Sequence, residues 1–147
     1  MPFLNIKVSA KRSAQMTQKI SAILLDLTTN VLHKDPKLIA IAVEYIDPND
    51  WLIAGKSLTE HAKSSIYFDI KITDETNTKF EKAQFIQQAF DAFSHLLGDL
   101  HKESYIYVQD VRATSYGYGG QTQEYRFHHL ANTPADVGSA INARVQS

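Results

Sequence analysis

The sequence predicts an α+β fold in which two tandem β-α-β units share a four-stranded sheet, with both helices on one face. Three observations carry that expectation. Asn5-Ile6-Lys7-Val8 returns further along the chain as Asp69-Ile70-Lys71-Ile72. Behind each copy, apolar residues recur at spacings of three and four: Met16, Ile20, Ile23, Leu24, Leu27 and Val31 in the first, Ile86, Phe90, Phe93 and Leu97 in the second. That is the period of a helix with one wide buried face. A second strand then follows each helix, 39–46 and 105–111, and each ends in an acid, Glu44 or Asp110, before an aromatic–glycine segment, 51–55 or 116–120.

The elements follow in order. Pro2 has no N–H to give a ladder, and the first residue of a strand is one of the few places in a sheet where that costs nothing. Ser13 is placed to cap the first helix. Pro36 and the turn residues Asp47-Pro48-Asn49 bracket the second strand. A connector near residues 56–65 leads to the second unit. There Thr78 with Glu81 three residues on reads as a capping box opening the second helix. Right-handed crossovers carry both helices to the same side. The chain is then one domain over 1–147, with units at 2–55 and 66–120. Residues 121–147, polar and containing Pro134 and Gly138, read as a C-terminal arm. The sheet face without helices must find a cover, and a second copy of the chain is the expected one.

Composition narrows the function classes. The chain is 44% hydrophobic and 21% charged, as globular proteins are, and it has no cysteine, so disulfides and thiolate metal sites are out. A net charge of −1 without a basic run argues against a nucleic-acid surface. No apolar run approaches the ~20 residues that span a bilayer. Lys7, Lys11 and Arg12 interrupt any signal-peptide pattern, which leaves a cytoplasmic protein as the expectation. None of His33, His61, His95, His101, His128 and His129 shows metal-ligand spacing with a carboxylate. No glycine motif opens a helix after a strand, so neither metal nor cofactor is expected.

The stretch from Pro2 to Arg12 combines a proline after the initiator methionine, an alternating strand and an arginine just before the first helix. Together with Tyr116-Gly-Tyr-Gly-Gly120, it resembles the tautomerase superfamily. More narrowly, it is similar to the long members built from two fused copies of the 4-oxalocrotonate tautomerase unit, the group that includes the cis-3-chloroacrylic acid dehalogenase branch. The resemblance implies the tautomerase/MIF-like β-α-β fold, a homotrimer and a small carboxylate substrate. It also implies that Pro2 is the catalytic base and that Arg12 anchors the carboxylate. Tyr107 matches a tyrosine of the dehalogenase branch, and Tyr118 is a candidate pocket wall.

Chemistry gives Pro2 its interest. Removing Met1 turns an amide nitrogen into a secondary amine, whose ordinary value near ~8 is lowered by an apolar pocket. A base poised near neutrality can take a proton α to a carbonyl and return it elsewhere. Helix N–H groups beside the Arg12 guanidinium suit a carboxylate. The chain also departs from the resembled pattern. Ile39 and Tyr105 stand where the short forms carry a second arginine. The loop Thr73-Asp-Glu-Thr-Asn-Thr78 lacks the arginine pair of the dehalogenase branch, Thr29 replaces its histidine, and Tyr118 falls where its water-activating glutamate lies. Arg112 is the residue expected to compensate if the last loop folds back over Pro2. The expected activity is keto–enol tautomerisation, an isomerase reaction. The alternatives are a non-catalytic trimer that retains Met1, or a dehalogenase or hydratase acting on a haloacrylate, which the missing arginines and glutamate weaken.

Overall fold

Alternation along the first strand sets the layering. In β1 (Phe3–Val8), Leu4, Ile6 and Val8 are fully buried, whereas Phe3, Asn5 and Lys7 are exposed. A strand's side chains point to opposite faces, so one face of the sheet is a core face and the other is open. The computed structural model describes residues 2–130. Residues 131–147, the larger part of the expected arm, lie outside the described residues.

The chain runs β1, α1 (Ala14–Asn30), β2 (Ala40–Tyr45), a short hairpin of β3 (Leu52–Ile53) and β4 (Lys56–Ser57), and a single-turn α2 (Leu58–His61). The second half repeats this plan as β5 (Ile66–Thr73), α3 (Lys79–Leu97), β6 (Tyr105–Val111), a hairpin of β7 (Gly117–Tyr118) and β8 (Gln121–Thr122), and α4 (Gln123–Leu130). The main sheet has the order β2-β1-β5-β6. β1 pairs parallel with β2, β5 parallel with β6, and the two halves join through an antiparallel β1–β5 ladder. The fold class is the predicted mixed α+β one, with a four-stranded sheet and helices.

Both long helices pack on the core face and against each other. Ser13 caps α1 by accepting the Met16 N–H at 2.9 Å. Thr78 and Glu81 close the capping box of α3: Thr78 Oγ1 accepts the Glu81 N–H at 3.0 Å, and the Glu81 carboxylate accepts the Thr78 N–H at 2.8 Å. The apolar stripe of α3 is rotated from the expected one. Phe85, Ala89 and Phe93 form its buried line, while Ile86 is 39% exposed and Phe90 and Leu97 flank the core. The rotation has a packing cause, because Phe85 and Phe93 both meet the ring of Phe68 on β5, at centroid distances of 6.0 and 6.2 Å.

The expected connector holds β4 and α2, and residues 121–130 extend the second half with β8 and α4. No helix among the described residues is long and apolar enough to cross a membrane.

Candidate active site

The antiparallel β1–β5 ladder decides what meets Pro2. Phe3 lies opposite Lys71 and Ala40, so Pro2, one residue earlier, sits between the end of β5 and the start of β2. It is buried, on the same face as Leu4, and its carbonyl accepts the Ala40 N–H at 3.2 Å. Helix-side neighbours at this end come from the first-helix exit and from the loop after β5.

Lys34 is the first of them. It lies between α1 and β2, is only 1% exposed, and donates from Nζ to Thr76 Oγ1 at 2.9 Å. Thr76 in turn donates to the carbonyl of Thr73, the last residue of β5, at 2.6 Å. Burial pulls the Lys34 ammonium down to about 8, and the carboxylates of Glu81 and Asp110 oppose that shift. Asp110 faces Ile72 across the β5–β6 ladder and is itself paired with Lys82 at 2.8 Å. A buried cation with a lowered proton affinity at the same sheet end as a candidate base is the kind of group that active sites assemble.

Tyr116 is the second. Its hydroxyl accepts the Phe3 N–H and donates to the Lys71 carbonyl at 3.4 Å, so it bridges β1 and β5 one residue from Pro2. Burial raises its proton affinity, partly offset by the Phe3 N–H. The last loop therefore does fold back over this end. Gln123 N–H bonds the Tyr116 carbonyl at 2.8 Å and Glu124 N–H bonds the Ala113 carbonyl at 3.1 Å, fixing α4 against the loop. Gly117 closes the hairpin because a Cβ there would strike the Gln121 carbonyl.

The sequence-predicted residues divide by position. Arg112 directly follows β6, whose far end lies beside the end of β5, so it belongs to the Pro2 end and is exposed. Arg12 is exposed just before Ser13, beyond the opposite end of β1. The six residues of β1 separate it from Pro2 by about 20 Å. Within one chain the two do not meet. Tyr107 is 55% exposed on the open face, opposite Asp69. Tyr118 lies under the Arg126 guanidinium, 3.8 Å from its ring centroid, while its carbonyl accepts from Arg126 Nη2 at 2.9 Å. Among the described residues, no group of three or more histidines, aspartates and glutamates could hold a metal.

The sequence does not mark Lys34 or Tyr116 as site residues. Lys34 sits in a polar stretch that reads as an ordinary surface loop, and only its burial reveals it. Tyr116 belongs to the aromatic–glycine segment, but the alternation favoured Tyr118 as the wall.

No family model matches the sequence, and no curated protein does. Solved structures do match. Pt0534, crystallised after inactivation by 2-oxo-3-pentynoate, has a TM-score of 0.73 at 14% identity, covering 84% of this chain and 98% of that one. A fused 4-OT, a wild-type symmetric trimer, gives 0.71 at 16% identity over 83% and 96%. A macrophage migration inhibitory factor-like protein of Entamoeba histolytica gives 0.68 at 17% identity over 82% and 97%. The fold is that of the tautomerase superfamily. The described chain is a two-unit version of this fold in which one sheet end carries Pro2, Lys34 and Tyr116.

Proposed function

We propose that the chain is a tautomerase-superfamily enzyme, working as a homotrimer, that moves a proton within a small enolisable carboxylate. Pro2, once Met1 is removed, serves as the general base; its amine takes the proton of the substrate's enol hydroxyl and delivers it to the carbon α to the carbonyl that forms. The Lys34 ammonium supplies positive charge behind the developing enolate, and Arg112 meets the carboxylate from the rim. Tyr116 holds the backbone beside Pro2 through the Phe3 N–H. Arg12 contributes from a neighbouring copy, because its own Pro2 lies at the other end of β1. The trimeric fused 4-OT supports an assembly of this kind.

The observation that carries the reading is a buried Pro2 sharing its sheet end with a buried lysine of lowered proton affinity. A low-dielectric site of this kind is where a neutral amine base works near pH 7. Enol–keto conversion of phenylpyruvate is the direct assay. Pro2→Ala should abolish turnover while the assembly stays intact; full activity in that variant would end the reading. Intact mass of the purified protein should lack one methionine. A retained methionine throughout would leave Pro2 acylated and favour a non-catalytic role.

A further inference from the structure

The two halves repeat more than their strands and helices. One constant displacement along the chain relates Trp51 to Tyr116, Ser57 to Thr122 and His61 to Arg126. The hydrogen bonds obey it as well. Leu58 N–H bonds the Trp51 carbonyl at 2.9 Å, as Gln123 N–H bonds that of Tyr116 at 2.8 Å. His61 Nε2 meets the Ile53 carbonyl at 2.9 Å, as Arg126 Nη2 meets that of Tyr118 at 2.9 Å. By the strand repeat, Tyr67 stands for Phe3 and Ile66 stands for Pro2. The end of the sheet opposite Pro2 is therefore the counterpart of the candidate active site, with an isoleucine in place of the base.

A cavity of about 610 Å³ lies there. Trp51, Tyr67 and Tyr105 supply its aromatic walls. A carbonyl can only accept, so His61 carries its proton on Nε2. His101 Nδ1 accepts the Glu103 N–H at 3.0 Å, which leaves Nε2–H as a donor. The Glu103 carboxylate is held by the Tyr105 hydroxyl at 2.6 Å. Lys102 is exposed on the same wall and makes no ion pair among the described residues.

We propose that this second pocket binds a small aromatic carboxylate without converting it. The ring lies among Trp51, Tyr67 and Tyr105, and the carboxylate meets the Lys102 ammonium and the His101 N–H. Ile66 offers no amine, so no proton is moved. The inference does not depend on Pro2 being a base.

Trp51 is the only tryptophan in the sequence, so its emission reports this pocket directly. The probe is 3-phenylpropionate, which has no ketone to enolise. Titration should give a saturable change in Trp51 emission, in the wild type and equally in Pro2→Ala. Lys102→Ala should weaken that binding by about tenfold, the loss of one charge-assisted contact, and Lys102→Arg should keep it. An emission that never saturates, or an affinity unchanged in Lys102→Ala, overturns the proposal. So does a response lost in Pro2→Ala, because it would report the other end. Loss of turnover alone leaves it standing, which keeps the two readings separable.

Discussion

Lys34 makes opposite demands on stability and on activity, and pH separates them. Its proton affinity falls from the usual 10.5 to about 8 on folding, chiefly through burial. Between those values the unfolded chain keeps a proton that the folded chain has released, so stability rises with pH across that window. The gain amounts to at most about 3 kcal/mol. Chemical denaturation from pH 8 to 10.5 should show this rise in the wild type relative to Lys34→Met. Turnover should fall over the same interval, because the charge behind the enolate is being lost. A pH profile of kcat/KM that is identical in the two proteins would remove Lys34 from the proposed mechanism. Tyr116→Phe tests the neighbouring bridge: losing the hydroxyl strands the Phe3 N–H and should cost about 1 kcal/mol, read from thermal unfolding. Neither residue could be picked from a single sequence. A lysine in a polar loop and one tyrosine of seven look ordinary until burial and register place them, whereas Pro2 stands out in the sequence by its place after Met1 and by the chemistry of its ring nitrogen.

Elements were far more legible than side chains. The capping box of α3 stood in the letters, because Thr78 and Glu81 at that spacing satisfy two helix N–H groups reciprocally. Thr78→Ala should destabilise the chain by about 1 kcal/mol, and by more than Ser13→Ala, whose helix has only a one-way cap. Urea midpoints at constant slope measure both. The rotated stripe of α3 shows where periodicity runs short. Ile86, Phe90, Phe93 and Leu97 and the true line of Phe85, Ala89 and Phe93 overlap on one wide face. Only the Phe68 ring on β5 decides which edge is innermost. The hairpin strands β3, β4, β7 and β8 are two residues each, too short for any alternation to mark. The aromatic–glycine segments gave their location but not their pairing.

At the scale of the molecule, the strand order places Pro2 and Arg12 at opposite ends of β1, so a site that uses both must be shared between copies. This leads to a mixing experiment. Pro2→Ala and Arg12→Ala chains, each inactive alone, should recover phenylpyruvate turnover when refolded together, since some junctions then join an intact Pro2 to an intact Arg12. Native mass spectrometry should show three copies in every sample. No recovery from correctly assembled mixtures would place Arg12 outside the site. The open face, with Phe3 and Tyr107 exposed beside the Asp69–Lys71 ion pair, is the surface such an assembly would cover. The halves meet along the β1–β5 ladder and the α1–α3 packing, with side-chain bonds such as Lys34–Thr76 and Asn77–Leu32 across the seam, and the chain between them passes through exposed Ala62 and Lys63. Cut at that link and expressed as two fragments, the chain should reassemble through these contacts, and such halves would serve as a split reporter whose reconstitution signals that two fused baits have come together.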